Sequence, residues 1–384
     1  MSNKSQKKKT VILSVSNDLI TDRRVDKVAQ SLHSFGFSPL LIGRKLKNSK
    51  SITKRNYSTI RMSLFFYKSA LFYAEYNIRL FFLLLFKKAD ILLANDLDTL
   101  PANYLAYLVK KNIFRKRIVL IYDSHELFTE VPELNGRKFA KNTWLFIEKI
   151  ILPKIKYAYT VCQSIADEYS KKYGIKMQVI RNVPVCKHIE MQNKKAEDLK
   201  LRFKNKKIIL YQGALNIGRG LEESILAMQH IENTILLLIG EGDISSGLRK
   251  LVSGKKLDEK VYFTGRIPLH ELNAYTKTAD LGLVLQADLS LSYRYVLPNR
   301  LFDYLHAEIP VLASCLPEIE KIVATHQAGI LIDTLEPQKI AEKINHLLFD
   351  EKKLQQIKEN IKKIKDEYCW EKEEEILHDI FSII

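Results

Sequence analysis

Twice along this chain a short, continuously apolar run gives way to an amphipathic helical stretch, and the alternation repeats. "VILSVSND" (11–18), "PLLIG" (39–43), "ADILLAND" (89–96), "RIVLIYDSHE" (117–126) and "AYTVCQ" (158–163) form a first series. "IILYQGAL" (208–215), "TILLLIGEG" (234–242), "KVYFTG" (260–265), "ADLGLVLQ" (279–286) and "IPVLAS" (309–314) form a second. Strands without polar alternation, joined by helices, belong in parallel sheets buried on both faces. At 384 residues the chain is too long for one ordinary core, which agrees with two series.

The expected fold is therefore α/β, with two Rossmann-like doubly wound domains. "NVPVCKHIEMQNKKAEDLKLRFKNKK" (182–207) is polar and lacks strand character, so the junction falls there. The expected divisions are a first domain over 1–184, a linker over 185–207 and a second domain over 208–364. A C-terminal helix over 365–384 is then free to pack back on the first domain. Two such sheets facing each other would make a cleft lined by strand carboxyl ends, where ligands of open α/β sheets bind.

Charge is unevenly shared. Up to Pro184 there are 33 Lys and Arg against 14 Asp and Glu, so the chain's net +17 arises entirely in its first half. The plain reading is a solvated basic face. The functional reading is attraction to anionic lipid. No RNP-like aromatic motif or zinc-finger spacing supports nucleic acid as the partner. Residues 63–88, "SLFFYKSALFYAEYNIRLFFLLLFKK", are the most apolar region. Lys68, Glu75 and Arg79 interrupt the run, so it reads as a buried or interfacial helix, not a membrane span. The N-terminus reads as lacking a signal peptide. Cys162, Cys186, Cys315 and Cys369 are scattered without a C-x-x-C pair, which argues against a disulfide framework and fits a reducing cytoplasm.

Several strand ends carry chemistry-bearing residues. In "YQGALNIGRGLEE" (211–223), Gly213, Gly218 and Gly220 allow close backbone approach to a ligand, and Arg219 stands at a helix start. There, free N–H groups and a cation suit a pyrophosphate; the alternative is a tight turn with an exposed Arg. The loop is neither a P-loop nor G-x-G-x-x-G. Gly240, Glu241 and Gly242 in "LLIGEGD", and Arg266 in "VYFTGRIP", would line the same sheet edge. In "SYRYVLPNRLFDYLHAEIPVLAS" (292–314), Asn299, Arg300 and Asp303 open a helix after Pro298, either as a bland helix start or as a seat for phosphate and a sugar hydroxyl.

In the first half, "IYDSHELFTEVPEL" brings Asp123, His125 and Glu126 to a strand's carboxyl end, where a His can donate to a sugar hydroxyl or phosphate. Asp22 and Arg23 in "TDRRV", and Asp96 and Asp98 in "NDLDT", are acceptor-binding candidates or simple helix caps. No H-E-x-x-H, EF-hand loop or G-x-S-x-G occurs, which disfavours metalloprotease and α/β-hydrolase chemistry.

Taken in order, the Gly-rich loop with its cation, "IGEGD", "VYFTGRIP" and the "PNR" helix resemble the donor domain of GT-B fold glycosyltransferases of family 4. "TDRRV" and "YDSHELFTEVPEL" resemble the acceptor domain of a bacterial polysaccharide-type branch. The resemblance implies Arg219 on the donor pyrophosphate, Asp303 on the ribose hydroxyls, and Asn299 and Arg300 by the phosphates or donor sugar. It implies His125 near the reacting carbon, retention of configuration and no metal cofactor. The implied substrates are a nucleotide-diphosphate sugar and a glycan or lipid-linked acceptor of surface polysaccharide, handled by a cytoplasmic enzyme peripheral on the inner membrane. Ala214, Tyr295 and Glu308 depart from the family pattern, and the first-strand loop lacks the usual Gly pair. Rival readings are a GT-B-like nucleotide-sugar epimerase and a catalytically silent subunit serving a partner transferase.

Overall fold

A computed structural model describes residues 8–20, 22–186 and 193–384. Two compact units divide the chain: residues up to Asn182 together with Glu373–Ile384, and Val183–Lys372.

The first unit runs β1 (Thr10–Asp18), α1 (Arg23–Ser34), β2 (Ser38–Lys45), β3 (Ser58–Ser63), α2 (Ser69–Phe86) and β4 (Ile91–Asn95). It continues through α3 (Leu100–Leu108), β5 (Val119–Ser124), α4 (Lys138–Ile151), β6 (Tyr157–Thr160), α5 (Gln163–Tyr173) and β7 (Gln178–Val179). All seven strands pair in parallel in the order β3-β2-β1-β4-β5-β6-β7. The order reverses direction between β1 and β4, so their carboxyl ends diverge into the crevice where doubly wound sheets bind ligands. Right-handed crossovers place α2, α3 and α4 on one face of the sheet, and α2 touches α3 while α3 touches α4.

Helix α2 buries Phe72, Tyr76, Leu80 and Leu84, a stripe at four-residue spacing, and leaves the rest of its surface open. Lys68 lies outside the helix, and its 18 residues are long and apolar enough to cross a membrane by length and composition. The interrupting charges are therefore not what argues against a span. The packed stripe is: Tyr76 Oη donates to Val15 O at 2.5 Å, within the sheet core.

The second unit runs α6 (Lys194–Arg202), β8 (Lys207–Gln212), α7 (Leu221–Ala227), β9 (Thr234–Ile239), α8 (Ser245–Gly254), β10 (Val261–Gly265) and α9 (Leu269–Thr276). Then follow β11 (Leu281–Val284), α10 (Leu291–Arg294), α11 (Asn299–His306), β12 (Val311–Ser314), α12 (Pro317–Thr325), β13 (Gly329–Ile332), α13 (Pro337–Leu348) and α14 (Glu351–Ile364). The last helix, α15 (Trp370–Ser382), starts in this unit and belongs to the first from Glu373 onward. The six parallel strands are ordered β10-β9-β8-β11-β12-β13, with the reversal between β8 and β11.

Two expectations are corrected here. Residues 185–207 are not a bare linker: α6 forms within them, and its Ala196 and Leu199 join the second unit's core. Only those positions and the half-buried Phe203 carry the helical spacing among many lysines, which makes the stretch look solvated. Residues 187–192 of that stretch lie outside the described chain. Cys186 and Cys369, which the reading kept apart, form a disulfide with Cα atoms 5.2 Å apart. Their separation of 183 residues leaves no local spacing to read. Edge strands β3 and β7 also escaped the pattern, because polar and exposed side chains break the continuous apolar signal, and β13, apolar but only four residues long, escaped it as well.

At the end of α11, Glu308 adopts φ of 59°. Ile309 N–H bonds to Tyr304 O at 2.9 Å and Glu308 N–H to Leu305 O at 3.0 Å, a Schellman arrangement that places Glu308 at the left-handed position glycine normally takes. Lys365 Nζ, 2.6 Å from its carboxylate, partly compensates across a half-exposed pair. Relief of the left-handed strain outweighs that pair, so Glu308→Gly should raise stability by about 1 kcal/mol in urea unfolding. A loss of stability would mean that the Lys365 contact dominates.

Candidate functional site

In the first unit the candidate residues gather at the carboxyl ends of β4 and β5. Asp123 ends β5 fully buried. Arg24 grips it with Nε at 3.1 Å from Oδ2 and Nη2 at 2.8 Å from Oδ1, and sends Nη1 to Ile180 O at 2.8 Å. Burial alone would raise the Asp123 carboxyl, but Arg24 and His125 hold it down at about 2. Asp123 is thus saturated from within the protein. It positions its neighbours.

His125 stands between two carboxylates. Nδ1 lies 3.1 Å from Asp96 Oδ2, Nε2 lies 3.3 Å from Asp123 Oδ2, and its backbone N–H donates to Asp96 Oδ1 at 2.8 Å. Asp96 adopts a left-handed φ of 60° and donates its own N–H to Asp123 O at 2.8 Å, so strained backbone presents the carboxylate. Burial opposes charge on the imidazole, but Asp96 and Asp123 together hold its pKa well above the ordinary value. A fifth of its side chain is exposed, so the edge of a charged ring reaches the surface while Nδ1 faces Asp96 and the buried Nε2 faces Asp123. Beside it, burial and the charge of Asp96 push the Asp98 carboxyl up to about 7, and Ser16 Oγ donates to it.

The other first-unit candidates are peripheral. Asp22 caps α1 by accepting from Val25 N at 3.2 Å. Arg23 and Glu126 are exposed. The arginine that matters in "TDRRV" is Arg24, which the sequence reading passed over. It shares a helical stripe with Val28 and Leu32, a spacing that could have marked it as buried.

In the second unit, Gly213, Gly218, Gly220, Gly240 and Gly242 converge at one sheet edge. A Cβ on Gly240 would lie 1.8 Å from Gly213 O, so two loop backbones touch where no side chain fits. Gly213 N–H bonds to Ile239 O and Gly240 N–H to Gly265 O, each at 2.9 Å, which locks the edge.

Beside it, just past the ends of β8 and β11, lies a cluster of cations. Arg219 Nη1 donates to Gln286 Oε1 at 3.2 Å and its guanidinium stacks over Tyr293 at 5.3 Å. Arg300 donates Nη2 to Leu285 O at 3.2 Å and lies 4.8 Å over the Tyr211 ring. Among the described residues neither arginine pairs with a carboxylate. The buried Nε atoms of both, and the buried Nε2 of Gln286, have no hydrogen-bond partner. Burial presses the Arg300 guanidinium downward, and repulsion from Arg219 adds to it. Leaving buried donors and a buried cation uncompensated costs several kcal/mol, a deficit that an anion would relieve.

Asp303, one turn into α11, accepts from Gln212 Nε2 at 2.8 Å, and Gln212 Oε1 accepts in turn from Thr276 Oγ1 at 2.7 Å. Asn299 is exposed at the helix start. Glu241 pairs instead with Arg249 at 3.1 Å, and Arg266 is exposed beyond β10, three strands from Arg300. These two stand apart from the cationic cluster. Gln212 and Gln286 were missed, although each immediately follows a buried apolar run.

Residues 193–364 match the family described as Glycosyl transferases group 1. An uncharacterized glycosyltransferase of Methanocaldococcus jannaschii is 23% identical over 290 residues, covering 72% of this chain and 71% of its own. Sucrose-phosphate synthase from Thermosynechococcus elongatus superposes with a TM-score of 0.81 at 16% identity over 98% of each chain. Anabaena HepE in complex with UDP and glucose gives 0.73 at 14% identity, over 98% of this chain and all of its own. The match lies within the second unit, and the chain has the α/β fold with two parallel sheets of the GT-B class.

The histidine clamp predicts a measurable titration. Because the folded value lies above the unfolded one, the stability contributed by this charge is full below about pH 6.5 and is lost as pH rises through the folded value. His125 should remain an imidazolium at pH 7.5 by NMR, and Asp96→Asn should move its titration down toward about 6.5. A His125 resonance that titrates near its ordinary value in the unsubstituted protein would contradict the clamp.

Proposed function

We propose that this protein is a retaining glycosyltransferase that moves a sugar from a nucleoside-diphosphate sugar to a glycan or lipid-linked acceptor of surface polysaccharide. The carrying observation is the pair of guanidiniums of the half-buried Arg219 and the buried Arg300, which meet no carboxylate among the described residues and keep buried, unpartnered Nε atoms. A diphosphate supplies both the charge and the acceptors they lack. Fixed cations aimed at the leaving diphosphate stabilise the charge that develops as the glycosidic bond breaks, without a metal ion. Asp303, held by Gln212, takes the ribose hydroxyls. His125, kept protonated between Asp96 and Asp123, lies against the transferred sugar. The bound UDP and glucose of HepE are in keeping with this donor class.

A thermal-shift screen of UDP, GDP, ADP and CMP with their sugar conjugates tests the donor site. One nucleotide should stabilise the protein with or without EDTA. Arg300→Met removes an uncompensated buried cation, so it should stabilise the ligand-free protein by about 1–2 kcal/mol while abolishing the ligand's effect. A variant that keeps the ligand's effect would remove Arg300 from the site.

We further propose that the first unit works at an anionic membrane face, inside the cell. The helices on one face of its sheet expose Phe82 and Phe86 of α2 and Phe139 and Phe146 of α4. Ile113 and Phe114, just past α3, lie exposed among Lys111, Arg115, Lys116 and Arg117. An open groove of about 660 Å³ between β3 and α2, lined by Ile60, Met62, Ile78 and Phe82 with Arg79 and Lys87, adds apolar surface beside cations. Each well-placed basic residue contributes about 1 kcal/mol at such a surface. Replacing Lys111, Arg115, Lys116 and Arg117 by Ser should therefore weaken co-sedimentation with phosphatidylserine vesicles by roughly 1,000-fold. Equal binding of the unsubstituted protein to neutral and anionic vesicles would refute the docking.

A further inference from the structure

We propose that the Cys186–Cys369 disulfide is a thiol-exchange site through which a dithiol reductant adjusts the nucleotide-binding cluster. Cys186 lies three residues after Val183 and Cys369 three before Lys372, the residues that begin and end the second unit, so the bond closes nearly the whole unit into a ring. The two ends are also tied by main-chain contacts. Trp370 N–H donates to Pro184 O at 2.7 Å, and Cys186 N–H to Glu371 Oε2 at 2.9 Å.

The segment that Cys369 anchors clasps helix α11. Tyr368 O lies 2.8 Å from His306 Nε2, its hydroxyl 2.8 Å from His326 Nε2, and its ring 5.5 Å from Phe302. Lys365 reaches Glu308, just beyond the same helix, at 2.6 Å. Phe302 and His306 sit on the helix that carries Arg300 and Asp303 one turn away. The disulfide thus holds Tyr368, Tyr368 holds the far half of α11, and α11 presents the guanidinium and carboxylate of the cluster. An eight-residue helix transmits displacement of one end to the other, because it is too short to absorb it by bending.

Access is one-sided, since Cys369 is buried and Cys186 only half-buried. A thiolate of the dithiol attacks Cys186 Sγ, and the S–S bond breaks with Cys369 leaving as thiolate and taking a proton. The reagent's second thiol then displaces Cys186 as a thiol. Two electrons and two protons pass to the protein, and the dithiol becomes a disulfide. Cys162 and Cys315 lie outside the bond.

The coupling to nucleotide rests on the donor site proposed above, and the test separates the two. Full-length protein is prepared without reductant, denatured and alkylated. Two cysteines should react, and all four after dithiothreitol. Native protein should bind UDP roughly 5-fold more weakly after reduction, and its melting temperature should fall by roughly 5–10 °C. Cys186→Ser should reproduce the reduced values and ignore dithiothreitol, whereas Cys315→Ser should keep the full response. Alkylation of all four cysteines in unreduced protein would overturn the proposal, as would the same UDP affinity before and after reduction. If UDP binds neither form, the donor reading is what has failed for that nucleotide. The melting shift then decides the staple, and an unchanged melting temperature overturns it.

Discussion

A parallel strand buried on both faces has no place for a polar side chain along its length, and both units of this protein are organised by that exclusion. Apart from a small hydroxyl such as Ser14 of β1, polar groups gather where a strand stops. Asp123 follows the apolar run of β5, and Gln212 and Gln286 follow those of β8 and β11. Each is nearly or wholly buried, so each must find its hydrogen bonds inside the protein or in a ligand.

The two units meet this demand differently. In the first, Asp123 is met by Arg24 and by His125, whose imidazolium, two residues along, also faces Asp96. The internal pair is complete without a ligand, and its net effect is to fix a proton on His125. In the second, Arg219 and Arg300 meet only amide oxygen, carbonyl oxygen and aromatic faces. That unit keeps a deficit of negative charge. The first arrangement favours a rigid donor, and the second favours capture of an anion, so the difference in counter-ions separates their chemical roles.

The doubly wound fold was legible because a continuous apolar run is a strong signal, and central strands carry it. Edge strands such as β3 do not, since half their side chains meet water. The glycines of the donor loops were legible for a related reason: close backbone approach tolerates no Cβ, and Gly240 against Gly213 shows why. Arg24 was hidden by its neighbour Arg23, because composition cannot say which of two adjacent arginines turns inward. Gln286 was hidden because a neutral amide raises no suspicion until its surroundings show that nothing bonds its Nε2. The Cys186–Cys369 pair was hidden by distance along the chain. What sequence withholds, in each case, is the list of partners.

The same point separates this protein's two populations of positive charge. The excess in the first half sits largely on exposed lysines and arginines, where salt screens it within about 10 Å and water competes for every contact. Such charge sets where a protein dwells and says little about what it binds. Arg219 and Arg300 are two cations among 61 Lys and Arg and barely alter the net charge. With Arg300 buried, Arg219 half-buried and no carboxylate on either among the described residues, they interact with an incoming anion more strongly than a surface pair. Net charge therefore points to a surface, whereas the buried, unpaired minority points to a substrate.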